Sequence, residues 1–259
     1  MNNPEDFLIF CKRLLPRWAN GIPDSECIAI FRSLESLRDK KSILIETGSG
    51  ASSLALFLHC ALYNGKMYSW DTNASKGAYL RSMISDAMAK ALGVDIHKIW
   101  TFIAFDSTDP SVGISVLHEL GEKADFGYFD SWHTLNHLVR EIKAFEMIAS
   151  DKFIIALDDA YYTKRDQNFA YINMLRNKIG LASVKEPLEN ICNPFYVEIN
   201  EYLNSNFSLV NKIDDYYKSA FEKDIFFDYF SSDRKFMNTL GMEERDNLSH
   251  RFDAWLVNK

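Results

Sequence analysis

No stretch of this sequence approaches the ~20 consecutive apolar residues that a membrane-spanning helix requires, so an integral helical membrane protein is not expected. Its four cysteines, Cys11, Cys27, Cys60 and Cys192, show no C-x-x-C spacing; this argues against a zinc ribbon or a dithiol redox pair and for buried free thiols. The start, Met1 to Asp6, lacks the basic and apolar regions of a secretory leader, and a cytoplasmic location is the expectation. An excess of positive charge is also missing. With 29 Lys and Arg against 36 Asp and Glu the net charge is −7, which speaks against the broad phosphate contacts of a nucleic-acid binder and favours a small uncharged or cationic substrate. No repeat, low-complexity tract or long linker is present.

What is present is a globular composition, 47% hydrophobic, with enough apolar material for a sizeable core. Residues 4 to 40 read as two helices, because Phe7, Leu8, Phe10, Cys11, Leu14 and Leu15 recur at helical spacing, as do Ile28, Ile30, Phe31, Leu34 and Leu37. Pro16 and Gly21-Ile22-Pro23 separate them. From Ser42 short apolar runs alternate with amphipathic stretches. This predicts strands at 42–47, 66–71, 100–104, 125–130 and 151–158, with helices at 51–63, 76–91, 111–121 and 134–149 between them. Five such units in succession imply an α/β, doubly wound, mostly parallel Rossmann-like sheet. Beyond Asp159 the pattern weakens: polar helices at 165–178 and 195–205, an antiparallel edge pair at 207–213 and 224–230, and an amphipathic helix over 243–258 carrying Leu248, Phe252, Trp255 and Leu256. The expected organisation is an N-terminal helical attachment (1–40), the sheet domain (41–230) and a C-terminal helical tail (231–259), the terminal helices offering faces for a homo-oligomer.

The strongest local signal is Ile43-Leu-Ile-Glu46-Thr-Gly48-Ser49-Gly50-Ala-Ser52-Ser53, a buried strand that runs through a glycine turn into a helix. Glycine permits the sharp turn and a close ligand approach, and the helix N-terminus offers unpaired N–H groups. Position 53 is serine where a dinucleotide fingerprint wants its third glycine, and no Gly-Lys-Ser/Thr marks a phosphate loop. The acid two residues before Gly48 resembles instead the first motif of the class I S-adenosylmethionine-dependent methyltransferases. That resemblance implies Glu46 and the loop from Gly48 through Ser49 and Gly50 to Ser52 at the cofactor. A second acid, Asp71, ends the next strand about 20 residues on, where a carboxylate can accept from both ribose hydroxyls. Asp106 and Ser107 end the third strand, where such enzymes often contact the adenine amino group. Each signal alone is ordinary, since an Asp at a strand end is commonly a cap.

Strand four ends in Asp130-Ser-Trp132-His133 and strand five in Asp158-Asp159. Carboxyl ends of parallel strands converge on one crevice, so these carboxylates should meet beside the cofactor, where oxygen ligands suit Mg²⁺ or Ca²⁺ better than Zn²⁺, and Mg²⁺ would keep sites open for substrate or water. D-x-x-H followed by D-D resembles the metal-dependent small-molecule O-methyltransferases, including the macrocin O-methyltransferase-like proteins. The resemblance covers roughly residues 40–160 and implies Asp130, Asp158 and Asp159 as metal ligands, Asp130 also at the cofactor, and His133 as the base. Alternatives stay open: Asp130 and Asp159 as caps, His133 and His137 as one exposed and one packed histidine, Trp70 and Trp132 as core or stacking rings, and Tyr161, Tyr162, Tyr216, Tyr217 and Tyr229 as packing or an aromatic acceptor pocket. The expected function is methyl transfer to a small-molecule or sugar hydroxyl. The rivals are a metal-dependent hydrolase or oxygenase built on Asp130, His133 and Asp158, and a non-catalytic cofactor-binding module.

Overall fold

The computed structural model describes residues 3–22, 24–132, 134–158, 205–212 and 253–258, together with positions 174, 177, 178, 180, 182, 183, 202 and 203. Its strands are β1 (Ile43–Thr47), β2 (Lys66–Trp70), β3 (Trp100–Ile103), β4 (Ala124–Phe129), β5 (Ala149–Leu157), β6 (Ser208–Lys212) and β7 (Asp253–Asn258). The helices are α1 (Pro4–Arg13), α2 (Asp24–Ser33), α3 (Ser52–Tyr63), α4 (Ala74–Ile84), α5 (Lys90–Leu92), α6 (Ile96–Ile99), α7 (Val116–Glu119) and α8 (Leu135–Ile148). The strands form one sheet in the order β3-β2-β1-β4-β5-β7-β6. β1 to β5 run parallel, and β7 lies antiparallel to both β5 and β6.

Strand alternation divides the apolar residues between two cores, one per face. Leu44, Met67, Phe126, Ile154 and Ala254 pack with α1, α2 and α3 on one side, while Ile45, Trp70, Phe129, Ile155 and Val257 pack with α8 on the other. The N-terminal helices therefore share the main core. Asp24 fastens α2 to α1, accepting from Lys12 Nζ at 3.0 Å and from Arg13 Nη2 at 2.7 Å.

Two expectations are corrected. Residues 253–258, expected within a helix, form an interior strand antiparallel to the 208–212 strand; residues 224–230, the other half of the expected edge pair, lie outside the described residues. Ala254, Trp255, Leu256 and Val257 make a continuous apolar run, which serves a strand covered on both faces as well as a helix, and only the neighbouring strands decide. The helix expected over 111–121 shrinks to α7, because Asp106 and Asp109 draw the N–H groups of Thr108, Ser111 and Val112 into side-chain turns.

α3 carries a buried histidine. Burial, and secondarily the charge of Arg38, lowers the His59 imidazole to about 4, so the folded chain keeps it neutral where the unfolded chain protonates near 6.5. The unfolded state thus binds the extra proton between those values, and stability falls as pH drops through this window. A His59→Phe variant should lose less stability than the wild-type chain between pH 6.5 and 4, by up to about 3 kcal/mol in urea titrations; parallel losses would refute the assignment.

Candidate functional site

The strand order reverses between β1 and β4, and at such a switch point the loops diverge and leave a crevice at the carboxyl ends. The glycine turn fills it. Gly48 has φ +79°, and a Cβ there would lie 1.8 Å from the Asp130 carbonyl oxygen, so only glycine lets the two loops meet. Its N–H donates to the Trp70 carbonyl at 2.9 Å, and the Asp130 N–H donates to Thr47 at 2.9 Å, which ties the ends of β1, β2 and β4 together.

Glu46 lies beneath this turn rather than facing the crevice. Its Oε1 accepts from Ser52 Oγ at 2.6 Å, and its Oε2 accepts from Ser53 Oγ and Ser69 Oγ, each at 2.7 Å. Trp100 Nε1 donates on to Ser69 Oγ at 2.9 Å. Burial pushes this carboxyl up to about 7, opposed by the hydroxyls of Ser52, Ser69 and Ser53 and by the charge of Lys76. The side chain holds the start of α3 against β1.

Two cavities flank Gly48. The larger, about 540 Å³, is lined by Gly48, Asp71, Asp106, Ser107 and Asp130 of the expected cofactor set, with Trp70, Lys76, Trp132, His137 and Arg140. The smaller, about 190 Å³, lies between the segment Trp18–Ile22 and the turn, and it takes in Ser49, Gly50, Ser52, Lys76, Asp130 and Asp158. Asp130 and Lys76 border both. Phe105 and Trp132, 55% and 69% exposed, are rings at the rim of the larger cavity. Trp70 is its buried floor, with Nε1 donating to the Val112 carbonyl at 2.8 Å.

Asp71 is fixed to the turn. Its Oδ2 accepts from the Ser49 N–H at 3.0 Å and pairs with Lys76 Nζ at 3.3 Å, while Oδ1 accepts from the Asn73 N–H at 2.8 Å. Asp106 is exposed and accepts at Oδ1 from Thr108 N–H and Oγ1, at 2.7 and 2.8 Å. Burial would raise its carboxyl, yet Thr108 and the charges of His137 and Arg140 together hold it below the usual range.

The walls are joined by a residue that sequence reading missed. Glu141 is fully buried, and its Oε1 accepts from Ser107 Oγ and from Ser131 Oγ (2.7 Å), with His137 Nε2 at 3.3 Å. It thereby links the loops after β3 and β4. The bond to Glu141 raises the His137 imidazole above its ordinary value; burial and Arg140 oppose, while the charges of Glu141 and Asp106 assist. The available signal was an acid on an apolar stripe, Leu138, Glu141, Ile142, Phe145 and Ile148.

Asp130 and Asp158 meet at the smaller cavity, but His133 and Asp159 lie outside the described residues, as do Tyr161, Tyr162, Tyr216, Tyr217 and Tyr229. Among the described residues no three acidic, imidazole or thiol groups gather as a metal site. Among them, too, no helix is long and apolar enough to cross a membrane.

No protein-family model matches the sequence, and no curated protein matches it. Solved structures do resemble it. An O-methyltransferase from Bacillus cereus, in complex with SAH, aligns over 99% of this chain and 90% of its own, at 11% identity and TM-score 0.53. A Klebsiella pneumoniae protein provisionally assigned as an O-methyltransferase aligns over 100% and 91%, at 12% identity and TM-score 0.54. The chain spans about half, 48%, of the MycE methyltransferase from the mycinamycin biosynthetic pathway, solved with Mg and SAH, which covers 88% of this chain at 13% identity and TM-score 0.45. The mostly parallel sheet and the Bacillus cereus and Klebsiella pneumoniae alignments agree: the chain has the class I methyltransferase fold.

Proposed function

We propose that the chain is an S-adenosylmethionine-dependent methyltransferase acting on a hydroxyl of a small metabolite. The observation that carries the proposal is Asp71, a carboxylate fastened to the glycine turn at the switch point and lining the larger cavity, where a nucleoside diol would reach it. Around it Phe105 and Trp132 suit a planar base, and the carboxylates Asp130 and Asp158 suit a positively charged centre.

When bound, the cofactor supplies an electrophilic methyl group on a sulfonium. For transfer the acceptor hydroxyl would have to give up its proton, and His133 is the candidate base to take it. A divalent cation such as Mg²⁺ would draw on Asp130 and Asp158, with Asp159 as a third ligand, and would ease loss of that proton. The described residues contribute two of those three donors.

Calorimetry with S-adenosylhomocysteine tests the reading: binding should be measurable, and Asp71→Ala should weaken it about ten- to a hundredfold with the fold preserved. Absence of binding at millimolar ligand would end the proposal. A hydrolase or oxygenase built on Asp130, His133 and Asp158 has no need of Asp71, so its turnover would survive that substitution. Binding without transfer to a broad acceptor panel would mark a cofactor-binding module.

A further inference from the structure

Lys76 breaks a local rule. Asn73 caps α4, its Oδ1 accepting the Lys76 N–H at 3.0 Å, so Lys76 sits in the first turn of a helix, where the macrodipole opposes a cation. Departures of this kind concentrate at working sites. The ammonium is held there by Asp71 Oδ2 at 3.3 Å, the longest of the three polar contacts to that carboxylate. Lys76 also borders both cavities, and it is the one cation among the described residues lining the smaller, where Asp130 and Asp158 supply negative charge.

One cation and two carboxylates around a small cavity match the two charges of an α-amino acid, its carboxylate toward Lys76 and its ammonium toward Asp130 and Asp158. Asp71, meanwhile, has to accept from the ribose hydroxyls, which compete with Lys76 for the same oxygen. Resting on the methyltransferase reading, we propose that Lys76 exchanges partners on cofactor binding, leaving Asp71 to the ribose diol and taking the carboxylate of the cofactor's amino-acid end. Lys76 is then the residue that selects a cofactor with an intact amino-acid end, and it couples occupancy of the two cavities.

The test compares S-adenosylhomocysteine with 5′-methylthioadenosine, which keeps the adenosyl thioether and lacks the amino-acid end. Calorimetry on the full chain should show the wild-type protein binding the first compound at least about tenfold more tightly. Lys76→Met should weaken it about ten- to a hundredfold while leaving 5′-methylthioadenosine unchanged or tighter, since Asp71 loses a competitor; Lys76→Arg should restore most of the preference. Equal weakening of both ligands in Lys76→Met would make the lysine a mere support for Asp71 and overturn the proposal, as would no weakening of either. Should Lys76→Met fail to fold, Lys76→Gln takes its place, with the same outcomes. Wild-type protein that binds neither compound removes the methyltransferase reading itself.

Discussion

Gly48→Ala should abolish cofactor binding and lower the melting temperature by about 10 °C, whereas Gly50→Ala should leave the melting temperature nearly as it is. The two glycines look equivalent in the sequence, but only Gly48 has a positive φ, and only there does an added methyl group run into backbone, 1.8 Å from the Asp130 carbonyl oxygen. At Gly50 the nearest atom, the Ala19 carbonyl oxygen, is 3.6 Å from the added carbon, an ordinary contact. A left-handed alanine costs about 1–2 kcal/mol. Relief of the clash then requires separating the β1 and β4 loops, for a total of about 3 kcal/mol or more. Thermal unfolding and calorimetry with S-adenosylhomocysteine check both variants. A Gly48→Ala protein that melts and binds like the wild type would show that the loops do not need to touch.

The next largest effect is expected at Glu46. Replacement by alanine strands three buried hydroxyls, Ser52, Ser53 and Ser69, and should cost about 3 kcal/mol or more in denaturant titrations near pH 5, where the folded carboxyl is protonated. Replacement by glutamine behaves differently. Burial raises the folded carboxyl to about 7 from an ordinary 4.5, so between these values the folded chain keeps a proton that the unfolded chain has released. The stability this contributes is complete below 4.5 and disappears as pH rises through 7. Glutamine does not titrate. Relative to wild type, Glu46→Gln should therefore gain up to roughly 3 kcal/mol between pH 5 and 8. Curves that stay parallel across this range would mean that the serines keep the carboxylate charged throughout.

The architecture was largely legible because β1, β4 and β5 are buried apolar runs, and β2, β4 and β5 lead into acids at the crevice. Asp71, Asp106, Ser107 and Asp130 line the larger cavity as their strand ends imply. Glu46 does not, for a reason that was also present in the sequence. Side chains alternate along a strand, so Glu46 shares the face of Leu44, toward α3, and meets the serines that open that helix. Lys76 and Glu141 were passed over because each reads locally as an error, a cation at a helix N-terminus and an acid on an apolar stripe. Their partners, Asp71 in one case and Ser107, Ser131 and His137 in the other, come together only in the folded chain. β7 was misread because its apolar run is too short to carry a periodicity.

That strand also constrains the order of assembly. β7 follows β6 in the chain yet sits between β5 and β6, so during vectorial synthesis the outer flank of β5 stays unpaired until residues 253–258 clear the ribosome. Until then the nascent polypeptide exposes an apolar ribbon, Phe153 to Leu157, of the kind that recruits other chains.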